Sequence, residues 1–299
     1  MNWLCSADFE TRQGKTKMNI GIIGAGVMGE VITSSLLKKN VVAASQIMIA
    51  DALPEKPAAL AKTYGIRHAA DNREVTAFAD IVIFSVKPQN SRAMMEPLSG
   101  AFHEGQVIVS IMAGVSLGTI ERLTGHKELV RAMPNIPAKI GEGMTVWIAS
   151  PSVPDCSKMI VKMIFQAFGL ETEVTNEDLI DAATAISGSG PAYIFYVAEN
   201  LMKSALELGF DNREAHRLVQ QTFRGAMDLW HHTGEEPETL RRSVTSKGGT
   251  TAAALKTFGE RKTPESFSAA IHAAYVRAGQ LREIADGKPD PAADLEKQS

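Results

Sequence analysis

The 299-residue chain lacks most of the features that would settle a function directly. It has two cysteines, Cys5 and Cys156, at no metal-ligand or redox spacing. A pair so distant in sequence is not read as a disulfide framework, and a reducing, cytoplasmic setting is expected. The formal net charge of -3 gives no basic footprint for nucleic acid. No apolar run approaches the roughly 18 residues that a spanning helix needs, so no membrane partner is expected. None of the seven histidines falls in an H-E-x-x-H pattern. His231 and His232 are adjacent and cannot share a helix face. All seven are read as surface or packing residues, and no metal site is expected. Residues 1–17 carry Trp3, Leu4, Cys5 and Phe9 but no continuous apolar core for a secretory signal. Asp8 and Glu10 argue against a transit peptide, so this stretch is read as a disordered extension before a functional start at Met18.

What remains is 44 % hydrophobic and 22 % charged residues, the balance of a globular chain, at a length that suggests about two domains. The dominant stretch is Asn19-Ile-Gly-Ile-Ile-Gly-Ala-Gly-Val-Met-Gly29. Ile20, Ile22 and Ile23 read as a strand buried on both faces of a parallel sheet. The run breaks at a G-x-G-x-x-G turn and passes into a helical pattern through Val31, Ile32, Leu36 and Leu37. Gly24 permits the tight turn, Gly26 lets backbone approach a pyrophosphate, and Gly29 lets the helix sit against the strand. Val27 and Met28 begin the helix whose free N–H groups would meet the phosphates. Dinucleotide binding is the expectation, with a plain β–α turn as the alternative.

Gln46–Asp51 reads as a second parallel strand ending in an acid. An acid roughly 20–27 residues past the glycines is where this kind of fold grips the adenosine ribose. Its charge would repel the additional phosphate of NADP, so Asp51 hints at NADH; the alternative is a strand-end turn residue. Pro57–Tyr64 reads as a helix stopped by Gly65. Asp80–Val86 is a strand ending in Lys87-Pro88, where ligands sit in open α/β sheets. Lys87 either reaches phosphate or ribose oxygens or is a solvated loop lysine. Gln106–Met112 is a strand ending at Ala113-Gly114, a place for close backbone approach. Leu129–Met133, Met144–Ala149 and Leu170–Val174 are further strands. A helix through Met159, Met163 and Phe168 separates the last two, its methionines read as core filler. Alternating strands and helices predict a doubly wound α/β domain over residues 18–177.

From Asp178 helical periods take over. Pro191–Leu208 carries Ile194, Val197, Leu201, Ala205 and Leu208 on one face and stops at Gly209. Asn212 is read as the cap of a second long helix ending near Gly234, with Gly225 marking close contact with another helix. A third follows Pro264. This all-helical domain, residues 178–285, is too small for a large core of its own, so its apolar faces are expected to pack across a dimer interface. Residues 286–299 read as a flexible tail. Two stretches break the pattern, Ser187-Gly-Ser-Gly-Pro191 before the first long helix and Ser246-Lys-Gly-Gly-Thr-Thr251 before a short helix Ala252–Phe258. Hydroxyls and glycines at a helix N-terminus suit N-capping and equally suit binding a carboxylate.

Together, Ile20–Gly29, Ser85-Val-Lys-Pro88, Arg131-Ala-Met-Pro-Asn135, Gly141-Glu-Gly-Met-Thr145, Ser187-Gly-Ser-Gly-Pro-Ala-Tyr193 and Ser246–Thr251 resemble pyrroline-5-carboxylate reductases, in the family's order. The resemblance covers roughly Met18 to Ile284. It implies reduction of a small-molecule substrate, the cyclic imine 1-pyrroline-5-carboxylate, to L-proline with hydride from NADPH or NADH. It also implies an N-terminal Rossmann domain followed by an all-helical dimerisation domain, and a homodimer or higher homo-oligomer with its active site between subunits. By position, Gly24, Gly26 and Gly29 would hold the pyrophosphate. Asn72 and Lys87, with the flanking Val86 and Pro88, would lie near the cofactor, as would Ala113 and Gly114. Asp51 falls where the family usually has a hydroxyl residue beside the NADP phosphate. Gly248, Gly249 and Thr250, with Ser246, would bind the substrate carboxylate. The Thr251 hydroxyl would face the imine nitrogen, and Ser187 and Gly188 would help shape the pocket.

Three positions depart from the family's pattern. Lys247 stands in place of the proline of Ser-Pro-Gly-Gly, which frees the loop and adds a charge near an anionic substrate. Arg242 replaces a common aspartate, and Ile136 a threonine. A β-hydroxyacid dehydrogenase of the same architecture would need a lysine on the helix opening the second domain, and that segment has none before Lys203. A reductase-like paralogue that binds nucleotide and oligomerises, without catalysis or with another substrate, would draw its support from Lys247 and Arg242.

Overall fold

The computed structural model describes residues 18–290, so the extension of residues 1–17 and residues 291–299 lie outside the described residues. The apolar run after Met18 forms β1 (Ile20–Ile23), and the glycine turn leads into α1 (Val27–Lys38). Then follow β2 (Ile47–Ala50), α2 (Glu55–Tyr64), the two-residue β3 (Arg67–His68) and α3 (Asn72–Phe78). Next come β4 (Ile81–Phe84), α4 (Ser91–Met95), β5 (Val107–Ser110), α5 (Leu117–Thr124) and β6 (Leu129–Met133). A short 3₁₀ connection at Ile136–Ile140 reverses the chain into β7 (Gly143–Ala149), followed by α6 (Asp155–Gln166) and β8 (Gly169–Glu173). The helical half contains α7 (Asp178–Ala183), α8 (Gly190–Glu207), α9 (Asn212–Thr233), α10 (Pro237–Ser243), α11 (Thr250–Glu260) and α12 (Thr263–Ala285). No helix among the described residues is long and apolar enough to cross a membrane.

The eight strands form one sheet in the order β3-β2-β1-β4-β5-β6-β7-β8. All neighbours are parallel except β6 and β7, whose connection is too short for a crossover. The order reverses between β1 and β4, the switch point of a Rossmann sheet. Successive strand residues feed opposite faces. Ile20, Ile22, Ile81 and Ile83 pack with α1 and α6, while Ile23, Val82, Phe84 and Ile108 pack with α3, α4 and α5. At the far edge, Glu171 and Glu173 of β8 pair with Lys162 (3.3 Å) and Lys158 (3.4 Å) of α6.

Several details differ from the sequence expectations. Met159 and Met163 are not core: they are 68 % and 38 % exposed, and α6 buries the neighbouring stripe Ile160, Val161, Ile164 and Phe165. The cap of α9 is Asp211, not Asn212. Its carboxylate accepts from the Glu214 N–H (2.7 Å) while Glu214 accepts from the Asp211 N–H (3.1 Å), a reciprocal capping box. No atom of the described residues lies within 4 Å of where a Gly225 side chain would stand, so the expected close helix contact is absent within this chain.

Contacts group the chain into two compact units, one running to Ser189 and resumed from Ala274, the other Gly190–Ala273. In the second unit, α9 buries only Ala215 and Val219, while Phe195, Tyr196, Leu201, Leu218, Trp230 and Phe258 are exposed. In the first unit, Arg131 of β6 is 1 % exposed and bridges Glu177 (2.9 Å) and Asp181 (2.6 Å). Glu177 also accepts from the Leu117 N–H (2.9 Å), and Arg282 of α12 reaches Asp178 (2.8 Å) and Asp181 (3.2 Å). The hydrogen bond to Asp178 raises the Arg282 pKa further above its already high value. The stretch from Asp286, expected as flexible, is held at its start: Asp286 accepts from Thr119 and Arg122, and Asp290 pairs with Arg277 at 2.7 Å.

Two outcomes follow. Arg131→Met leaves Asp181 buried with its main counter-charge gone and should cost about 3 kcal/mol in denaturant unfolding; Arg131→Met/Asp181→Leu should recover part of that loss. His126 donates through Nε2 to the Gln106 carbonyl (2.6 Å), and burial pushes its pKa below the ordinary value. The unfolded chain therefore takes up the proton first, so this stability is present above about pH 6.5 and is lost as pH falls below it. Stability of the wild type relative to His126→Gln should fall between about pH 7.5 and about pH 5.5.

Candidate active site

The parallel strands deliver their carboxyl ends to one edge of the sheet. The segments leaving them are Gly24–Gly29 after β1, Asp51 after β2, Asn72 after β3, Ser85–Pro88 after β4 and Ile111–Gly114 after β5. The three glycines of the turn do different work. Gly24 has φ +114°, and a side chain there would stand 2.4 Å from the Ser85 carbonyl oxygen. A side chain on Gly29 would stand 2.1 Å from the Gly24 oxygen. Both positions are closed by neighbouring backbone, which wedges the turn against the exit of β4 at the switch point. Gly26 faces the other way, with no atom within 4 Å of a built Cβ. It is the N-cap of α1 and supplies no side chain, so the first-turn N–H groups of Val27, Met28 and Gly29 have no partner within the helix. Open space over free amides at a helix N-terminus fits a pyrophosphate.

Asp51 is held tightly. Its Oδ2 accepts from the Ala25 N–H inside the glycine turn (2.7 Å), and its Oδ1 accepts from the Leu53 N–H (3.0 Å). Lys87 is exposed at the end of β4 between the half-buried Val86 and Pro88. Asn72 opens α3, whose cap Asp71 accepts from the Arg73 and Glu74 N–H groups. Ala113 is half-buried. Gly114, at φ +70°, does provide close approach, but its visible neighbour is α12: a side chain there would stand 2.7 Å from Leu281 Cβ.

Ser187–Pro191 is not the expected loop. Thr184–Gly188 forms a π-helical turn that joins α7 to α8. The Ser189 N–H reaches back to Thr184 (2.8 Å), and the Ser187 hydroxyl donates to the Ala183 carbonyl (3.0 Å). Ser187 therefore caps nothing. Turns of this kind cost regular hydrogen bonding and are frequent at functional sites. The turn packs on the segment after β6. Asn135 donates to the Ser187 carbonyl (3.0 Å) and accepts from the Met144 N–H (2.9 Å), and a Gly188 side chain would stand 3.0 Å from Met133 Cε. In the sequence, Asn135 and Met133 stand within Arg131-Ala-Met-Pro-Asn135 with no role of their own. The flanking prolines of Pro134-Asn135-Ile136-Pro137 were the signal that could have singled them out, since they stiffen the backbone that aims Asn135.

Ser246–Thr251 lies in the helical unit. Gly248 has φ +74°, the Gly249 N–H donates to the Ser246 carbonyl (3.1 Å), and a Gly249 side chain would stand 2.4 Å from Ser246 Oγ. The helix begins at Thr250, two residues earlier than expected, so Thr250 and Thr251 occupy its first turn. Its N-cap, Gly249, has no side chain to satisfy those amides. Lys247 is exposed, and Arg242 pairs with Glu238 (2.8 Å) on the surface of α10.

A Rossmann sheet with its glycine turn at the switch point, joined to a helical unit that presents an uncapped helix N-terminus, defines a nicotinamide-dependent oxidoreductase. Residues 19–114 match the family model described as NADP oxidoreductase coenzyme F420-dependent, and residues 177–281 match pyrroline-5-carboxylate reductase dimerisation. The chain is 35 % identical to the pyrroline-5-carboxylate reductase of Synechocystis sp. over 88 % of this chain and 98 % of that protein. It is 34 % identical to that of Escherichia coli, over 88 % and 97 % of the two chains. The solved pyrroline-5-carboxylate reductase of Coxiella burnetii superposes with a TM-score of 0.82 at 34 % identity, covering 89 % of this chain and 99 % of that one. The chain belongs to the pyrroline-5-carboxylate reductase family.

The different surroundings of the glycines separate binding from folding. Gly26→Val should weaken NAD(P)H binding at least about tenfold in a fluorescence titration, because it fills the space over the free amides. Its thermal midpoint should stay near wild type. Gly29→Ala should lower that midpoint before any nucleotide is added.

Proposed function

We infer that this chain reduces 1-pyrroline-5-carboxylate to L-proline, the last step of proline biosynthesis, with hydride from NADPH or NADH. The observation that carries the reading is the α11 N-terminus, where Gly249 leaves the first-turn amides uncapped beside Thr250 and Thr251. An anionic imine needs such an acceptor for its carboxylate and a hydrogen bond at its nitrogen. In this reading Gly24, Gly26, Val27, Met28 and Gly29 hold the cofactor pyrophosphate, and Asp51, Asn72, Val86, Lys87, Pro88, Ala113 and Gly114 lie along the rest of the cofactor. Ser246, Gly248, Gly249 and Thr250 bind the substrate carboxylate, and Ser187 and Gly188 shape the pocket.

Reduced nicotinamide, when bound, supplies the hydride for the C=N carbon. The protein's task is orientation. The backbone amides at α11 anchor the carboxylate and fix the ring. The Thr251 hydroxyl bonds to the ring nitrogen and steadies the charge that shifts there as C=N becomes C–N. A protonated cyclic imine is already a good hydride acceptor, so positioning with one hydrogen bond can replace a strong side-chain acid. This accords with candidate substrate residues that are glycine, serine and threonine.

The exposed apolar surfaces of α8, α9 and α11 support assembly of the helical unit into a homo-oligomer, and we propose a homodimer as its basic unit. Dependence on reduced nicotinamide accords with a cytoplasmic enzyme. Thr251→Ala should lower kcat/KM for 1-pyrroline-5-carboxylate at least about tenfold, the loss of a transition-state hydrogen bond worth over about 1.4 kcal/mol, without changing NAD(P)H affinity. Unchanged kcat/KM would remove Thr251 from the mechanism.

A further inference from the structure

We propose that Asp51 makes this chain select NADH over NADPH; the proposal rests on the assignment of the sheet's carboxyl edge as the cofactor site. Ala50, the last residue of β2, is the register partner of Ile23 on β1 and accepts from the Gly24 N–H (2.8 Å). Asp51 therefore stands immediately beside the glycine turn. Both of its oxygens are taken by backbone, Oδ2 by Ala25 and Oδ1 by Leu53, so the carboxylate has a fixed direction. Each oxygen keeps a further acceptor site. A fixed carboxylate with one spare acceptor site per oxygen suits a vicinal diol, which offers two O–H donors.

The same group is unsuited to a phosphate. Among the described residues Asp51 forms no ion pair. Lys56, the next cation along the chain, is exposed on α2 beside Glu55. A phosphate replacing one ribose hydroxyl would bring two further negative charges toward a carboxylate that no ion pair neutralises. Nor can the carboxylate swing aside at little cost. Turning it away breaks both backbone bonds, one of them inside the turn that holds the pyrophosphate. The selectivity is built from repulsion as well as attraction.

The test is binding of NADH and NADPH to the full chain without substrate, by fluorescence or calorimetric titration at low and high salt. The wild type should bind NADH at least about tenfold tighter than NADPH, and raising salt should narrow the gap by screening the repulsion. Asp51→Asn keeps an acceptor for Ala25 while removing the charge. It should weaken NADH and tighten NADPH, moving the ratio of the two affinities at least about tenfold toward NADPH. Wild-type protein that binds NADPH as tightly as NADH overturns the proposal, as does an Asp51→Asn variant that weakens both in equal proportion. If that variant does not fold, the wild-type ratio and its salt dependence decide alone. Because no substrate is present, failure here leaves the reductase assignment standing, and failure of turnover leaves this result standing.

Discussion

The structure depends on a buried guanidinium. Arg131 comes from the middle of a strand, yet it is almost wholly enclosed, so its charge has to be matched by α7. Glu177 and Asp181 do this from successive turns of the chain. Their remaining lone pairs reach the first residue of α5 and the last turns of α12. One cation thereby sets where α7 lies and how the C-terminal helix returns. An isolated buried ion pair adds little net stability, but satisfying it in only one arrangement fixes geometry. Four residues beyond Arg131 is Asn135, and six residues beyond Asp181 is Ser187, so the network also frames the two segments that the Asn135–Ser187 hydrogen bond joins.

The carboxyl edge of the sheet obeys a simpler constraint. Parallel strands place all their exits on one side, and the reversal between β1 and β4 opens a crevice there. Gly24 and Gly29 close the backbone around it, and Gly26 leaves it open. Asp51 ties the second strand's exit to the turn. Steric closure and electrostatic sign are thus set within a few residues of each other.

Much of this was legible in the chain. Parallel strands declare themselves as short apolar runs, and G-x-G-x-x-G in a strand-turn-helix context carries its own mechanism, so the sheet and the glycine turn at its carboxyl edge could be read directly. Arg131 could not: nothing in Leu-Val-Arg-Ala-Met distinguishes a buried arginine from an edge one, because its partners lie 46 and 50 positions away. The π-helical turn at Ser187 was hidden for a related reason. Serine and glycine favour loops locally, and only the packing of Gly188 on Met133 and the Asn135 bond explain why the helix continues through them. Met159 and Met163 show the limit of periodicity, since a shift of one residue exchanges the dry stripe of a helix for the wet one.

The two ends of the sheet have a bearing on how the protein behaves at high concentration. An open strand edge is a template on which another chain can add. At one end β3 offers two residues, too short a rail for that. At the other, β8 is a full strand with Leu170 exposed, but Glu171 and Glu173 stand along it with Lys162 and Lys158 alongside. Glu173 and the two lysines keep charge beside that edge, while Glu171 is nearly dry and accepts from Trp147 Nε1 (2.8 Å). Charge along an edge strand disfavours the addition of a further strand there.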